Sequence, residues 1–270
     1  MLFKHSNKDL LLVLICLSNI SLLVAAGIYF QSMSLTLSII CGLFLVGFYC
    51  TNYQCVSHNF IHNNFFKSKK LNFIFSIINS MAMGLPQTLY YHHHMNHHRY
   101  TNGEKDISSL FLFSKDKERE EGILSYSFIG FFRIDLLALA KRAKKKEDKV
   151  LLVSEMVGVI AFWGFLMALD WKFFCFFYLP IWYLGQVAAL MENYFEHYGT
   201  KPGDRKTDSV SCYNKIYNFL WFNNGYHQEH HYAPTVHWTK ISEVKEKLPG
   251  EDQRRIVKVA HFTNIPGLRS

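Results

Sequence analysis

The chain has 270 residues, half of them hydrophobic, with 24 Phe, a net charge of +8 and a mean hydropathy of +0.02. That length suits one large domain or two small ones, and that apolar content is high for a soluble protein. A basic balance is compatible with nucleic acid, but the layout of the charges excludes that partner: residues 10–57, 48 in a row, contain no Asp, Glu, Lys or Arg.

Such a run suffices for two passes of about 20 residues each across a bilayer. Residues 10–30 are too long for the apolar core of a cleavable leader, and residues 35–53 follow almost at once, so both are expected to span. The six cysteines have no CxxC and lie mostly in apolar runs, which reads as packing rather than ligation. Residues 71–91 are uncharged and long enough to cross once, but Gly84, Leu85 and Pro86 interrupt them, and they separate two histidine groups. If those groups cooperate, this segment lies in the interface, re-enters, or forms a short hairpin. Residues 124–140 are apolar but carry Arg133 and Asp135, as expected of one helix lying on the membrane surface. Residues 150–169, charged only at Glu155, and 173–191 complete four spans.

With those spans, the N-terminus, residues 54–149 and the tail from Glu192 share one side and carry 2, 15 and 11 basic residues; only Lys172 lies opposite. The excess of Lys and Arg makes that side cytoplasmic. The expectation is an all-α integral membrane protein with about four transmembrane helices, interfacial helices and a cytoplasmic, histidine-bearing cap. Residues 1–270 then form a single membrane-embedded domain with both termini cytoplasmic.

The stretch "YYHHHMNHHRY" holds five histidines in eleven residues, far from either terminus. Three groups have helical spacing: His58 and His62 in "HNFIH"; His94, His97 and His98 in "HMNHH"; His227, His230 and His231 in "HQEHH". Residues three or four apart share a helix face, so these imidazoles are able to converge on a metal. His197, in "NYFEH", follows the fourth span, and all nine fall on the expected cytoplasmic face. Neutral imidazole suits Zn, Cu, Fe and Ni. A structural zinc site needs only four ligands, so nine histidines point to more than one metal. His92 and His93 flank the second group, and the isolated His5, His237 and His261 read as solvated or satisfied within the core. A metal transporter or sensor would need polar residues inside the spans to pass the ion, and Glu155 alone is no pathway.

"HNFIH", "HMNHH" and "HQEHH" resemble the three histidine boxes of the membrane fatty acid desaturase superfamily, which also holds alkane hydroxylases and carotenoid ketolases. "NYFEHYG" is similar to a segment of the alkane hydroxylases and to the NxxxH pattern of acyl-CoA desaturases; "GYHQEHHYAP" is similar to the third box of bacterial desaturases and ketolases. The resemblance covers about residues 57–238 and implies two iron ions with O2 as co-substrate. It implies His58, His62, His94, His97, His98, His197, His227, His230 and His231 as ligands, with Asn193 reaching one iron through water. Alkane hydroxylases have HxxxHH in the second box, where this chain has HxxHH, so His93 is an alternative to His94.

The activity implied is desaturation of a fatty acyl or lipid chain, with alkyl hydroxylation or carotenoid ketolation as alternatives. Asp106, Glu196 and Glu229 are candidates to accept the outer N–H of ligating histidines. Trp221, Phe222 and Trp238 suit either an acyl channel or interfacial anchoring. The chain has no GxGxxG fingerprint and no haem or iron–sulfur ligand set, so electrons come from a separate donor of ferredoxin, rubredoxin or cytochrome b5 type. The basic run at 141–146 suits lipid headgroups, or docking of an acidic carrier such as an acyl carrier protein.

Overall fold

The computed structural model describes residues 2–116, 118–200 and 202–265, which are largely helical. The chain divides into two compact units. One runs to His92 and resumes over Asp135–Ala189; the other comprises His93–Ile134 and the chain from Leu190 onward.

The first unit holds the long apolar helices. Four are long and apolar enough to cross a membrane: Asp9–Ser32, Leu35–His62, Lys146–Leu169 and Trp171–His197. The first contains α1 (Asp9–Tyr29) and the third is α8 (Lys146–Leu169). In lipid no water can satisfy stray backbone groups, so continuous helix is the stable solution. Their outer faces are apolar, with Leu35, Leu43, Ile160 and Phe176 exposed. Inner faces meet in a core of Leu23, Leu45, Tyr49, Phe162, Leu166, Phe173 and Tyr178.

The second and fourth of these helices run past the expected ends at residues 53 and 191. Helix α2 (Leu35–Thr51) passes through a widened π-helical stretch, Asn52–Ser57, into α3 (His58–His62). The short α9 (Trp171–Phe173) leads through a second such stretch, Phe174–Tyr178, into α10 (Leu179–His197). Wide turns of this kind re-aim a helix without ending it. Helices α2 and α10 approach closely at Gly185, where a Cβ would lie 2.6 Å from that of Tyr49.

The uncharged run 71–91 breaks into two helices, α4 (Lys69–Met83) and α5 (Gln87–Tyr100). Gly84, at φ 64°, ends α4 in the left-handed conformation that glycine tolerates best, and Pro86 precedes α5. Both sides of this break lean on Glu155: its carboxylate accepts the Ser76 hydroxyl at 2.6 Å and the Thr88 N–H at 2.8 Å.

The surface helix expected over residues 124–140 is instead two, α6 (Ile123–Arg133) and α7 (Leu136–Ala140). Asp135 leaves helical geometry to cap α7, accepting the Ala138 N–H at 2.8 Å.

The second unit carries α6, the end of α10, α11 (Lys215–Leu220) and α12 (His227–Tyr232). A parallel ribbon pairs β1 (Ser211–Cys212) with β2 (Ile256–Val257). One core gathers Leu110, Tyr126, Tyr194 and Phe195; another gathers Val210, Cys212, Tyr217, Val257 and Ala260.

Candidate metal centre

Four histidines of the second unit, His97 on α5, His197 at the end of α10, and His227 and His231 on α12, are buried with their ligand nitrogens all within 4.8 Å of one another. His97 Nε2 lies 2.9 Å from His197 Nε2, which lies 3.1 Å from His227 Nε2. What each ring does with its other nitrogen decides what these contacts mean. His97 Nδ1 faces the Asp106 carboxylate at 2.9 Å, and His197 Nδ1 faces the Asp208 main-chain carbonyl at 3.2 Å. His227 Nδ1 lies 3.5 Å from Glu196 Oε1, and His231 Nδ1 lies 3.4 Å from the Thr101 hydroxyl.

An Nδ1 that faces a carboxylate or carbonyl must carry the proton, so in a neutral ring the Nε2 presents a lone pair. Lone pairs facing each other at about 3 Å repel unless a proton or a cation lies between them. His231 Nε2 is buried and has no hydrogen-bond partner. An ion about 2.1 Å from four nitrogens in a tetrahedron would set them roughly 3.4 Å apart, close to the separations seen. The donor set therefore fits a metal ion.

The electrostatics agree. Burial works against charge on His97, but the Asp106 carboxylate outweighs it and raises its affinity for a proton. Burial likewise opposes charge on Asp106, yet His97 and the N–H groups of Ser108 and Asn102 hold its pKa below the usual range. Burial and four surrounding imidazoles push the His231 pKa well below normal, which favours the neutral ring.

A second group lies beside the first. His94 Nε2 is 2.9 Å from His98 Nε2, which is 3.0 Å from His230 Nε2. The rings of His98 and His231, one from each group, have centroids 4.3 Å apart. His94 therefore faces other imidazoles, whereas His93 Nε2 turns to the Ser108 hydroxyl at 3.2 Å. In the first unit, His58 and His62 share one face of α3 with ring centroids 5.3 Å apart, and His58 is buried. Asn193 Nδ2 donates to the Tyr126 hydroxyl at 2.7 Å.

Of the three carboxylates expected behind the ligands, Asp106 and Glu196 stand against His97 and His227. Glu229 does not. It accepts from Ser211 (2.7 Å), Tyr213 (2.5 Å) and Arg254 (3.2 Å), because its side chain leaves α12 on the side away from the converging nitrogens. Thr101 and Asp208 were not legible as supports. Thr101 has only its place one turn after His97, and Asp208 acts through its backbone. His261 is buried in the core, its Nδ1 3.4 Å from both Glu192 and Glu196. Burial opposes its charge, but the two carboxylates push its pKa up to about 9, as in an ion pair, and the three side chains also bring their ligand atoms within 4.8 Å of one another. Phe222 and Trp238 pack edge to face at 5.6 Å.

Long apolar helices and a buried imidazole cluster define a membrane protein with a histidine group whose geometry suits a metal ion. The chain belongs to the fatty acid desaturase family, whose model matches residues 32–263. It is 24% identical over 223 residues to a sphingolipid delta(4)-desaturase of Schizosaccharomyces pombe, covering 76% of this chain and 57% of that protein. It is 27% identical over 189 residues to the sphingolipid delta(4)-desaturase DES1 of Drosophila melanogaster, covering 64% and 54%. The chain thus matches little more than half the length of these curated relatives.

Proposed function

We propose that the protein is an O2-dependent di-iron desaturase acting on a fatty acyl or other long-chain lipid, and that residues 1–270 work as one catalytic domain. The observation that carries this is the set of Nε2 lone pairs converging from His97, His197, His227 and His231, within a family that includes lipid desaturases. These four would hold one iron. His94, His98 and His230 would hold the other, with Asn193 contributing through water. Iron supplies the O2 activation that side chains lack. The protein's own residues fix the imidazole tautomers: Asp106, the Asp208 carbonyl and Thr101 would take the outer protons of His97, His197 and His231, so those lone pairs point inward, while Glu196 stands 3.5 Å from His227 Nδ1.

In the proposed reaction a CH2–CH2 unit becomes CH=CH while O2, two electrons and two protons become two waters. The electrons come from a separate carrier of ferredoxin, rubredoxin or cytochrome b5 type, delivered from the cytoplasm, where the termini and the histidines lie. The curated relatives are named for sphingolipid substrates, which favours a chain carried on a membrane lipid over one on acyl carrier protein. Expression in a lipid-rich host followed by mass spectrometry of whole lipids tests this. Loss of two hydrogens from a chain is expected; gain of oxygen alone would transfer the assignment to a hydroxylase or ketolase.

A further inference from the structure

Helix α12 supplies three of the histidines yet has only six residues, and a helix that short does not hold its own shape in water. Its geometry must be imposed from outside, and residues 254–264 of the tail reach it at several points. Arg254 donates to Glu229, which lies between His227 and His230, and both side chains are buried, at 1% and 0% exposure. Strand β2 pairs Ile256 with Ser211 and Val257 with Cys212, next to the Ser211 hydroxyl that also holds Glu229. His261 Nδ1 stands against Glu196, the residue beside His197 whose carboxylate faces His227 Nδ1. It also stands against Glu192, which the Tyr217 hydroxyl grips at 2.7 Å.

Asn264 completes the set. Its Nδ2 donates to the main-chain oxygens of Phe195 (2.7 Å) and Tyr198 (3.0 Å), on either side of His197. The Phe195 carbonyl is among the last of α10, which have no partner within the helix, and Tyr198 directly follows the helix end. Arg255 in turn fixes the Asn264 oxygen at 2.7 and 3.0 Å.

We propose that residues 254–264 are a positioning strap for the four-histidine centre, with His261 and Arg254 as the positioning residues that set how tightly it keeps its metal. His261 acts through Glu196 on His227, and Arg254 acts through Glu229 on the backbone of α12. Asn264 pins the end of α10 at His197. This rests on the reading of the four histidines as a metal centre.

The test is metal content per folded chain in the full-length protein, with the absorption spectrum of the cobalt-substituted form as a report on ligand geometry. The variants are His261→Gln, Arg254→Gln, Arg254→Lys and Asn264→Ala, each taken as the monodisperse fraction. In His261→Gln and Arg254→Gln the centre should release its ion to a chelator about 10-fold faster or more, as removal of such supports does elsewhere, with an altered cobalt spectrum. Arg254→Lys should recover most of the parent's retention, since it keeps the charge. If His261→Gln does not fold, Asn264→Ala carries the same reading, because it frees the end of α10 without stranding a buried charge. Folded variants with the parent's metal retention and spectrum would overturn the strap and leave the segment as packing. A folded parent that binds no metal would instead overturn the centre on which the strap rests.

Discussion

In the first unit, Glu155 lies fully buried in a membrane-length helix with one carboxylate oxygen on a hydroxyl and the other on a backbone N–H. Nearby, Asn79 bonds Asn52, Ser57 and Gln87, and Gln87 reaches the Ser57 carbonyl, so donors there meet acceptors. In the second unit, buried imidazoles turn acceptor toward acceptor, and His231 Nε2 meets no donor. Both regions bury polar atoms at a cost that hydrogen bonds must offset. The bonds around Glu155 and Asn79 join donor to acceptor with nothing added; the imidazole cluster sets acceptors against one another, which a proton or a cation between them would relieve. Polarity alone does not mark a functional site, whereas the pairing of like with like does.

The largest expected effect comes from removing a ligand. His197→Ala or His231→Ala should drop turnover below detection and take one metal with it, while the protein still inserts and runs as one species in detergent. Retained activity in either variant would break the contrast between the units.

Asp106→Asn is the next step down. Asp106 receives three N–H groups, from His97, Asn102 (2.7 Å) and Ser108 (2.8 Å). An amide has one oxygen to offer, so it either flips the His97 tautomer or strands a backbone donor. A loss of about 10–100-fold in metal affinity or rate is expected; an unchanged value would mean that the outer proton is immaterial.

Glu155 sharpens the other side of the comparison. Glu155→Gln still takes the Thr88 N–H on its oxygen and gives its amide to Ser76, so stability should change by about 1 kcal/mol or less. Glu155→Ala leaves both groups buried without a partner and should cost about 1–3 kcal/mol. Neither should alter metal content, measured alongside thermal unfolding.

The smallest effect on turnover belongs to the exposed basic run. Changing Lys144, Lys145 and Lys146 to Gln should weaken attachment to anionic vesicles by roughly 1 kcal/mol per residue and leave turnover with a saturating donor unchanged. A weaker apparent affinity for the donor, with a flatter salt dependence, would make the run a docking site instead.

Much of this was legible in the sequence because the signals are local. Uncharged runs of membrane length marked the helices, and spacings of three and four placed His94, His97 and His98 on one face. The break at Gly84 and Pro86 was visible as an interruption, but its outcome depends on Glu155, far along the chain. The single helix expected at 124–140 failed because Asp135 could cap a new helix as readily as sit on the polar face of an old one. Asp106 and Glu196 were found by adjacency, and that same adjacency misled at Glu229. His261, Arg254 and Asn264 gave no local sign, since their partners lie tens of residues away and only folding brings them together.

The central claim is that the four buried imidazoles form a metal centre, and counting metal in folded, iron-supplied protein tests it most directly. The account predicts about two ions per chain, by analogy with other two-metal sites, falling to about one in His197→Ala. A well-folded parent that binds none, or a His197→Ala protein that binds as many as its parent, would contradict it.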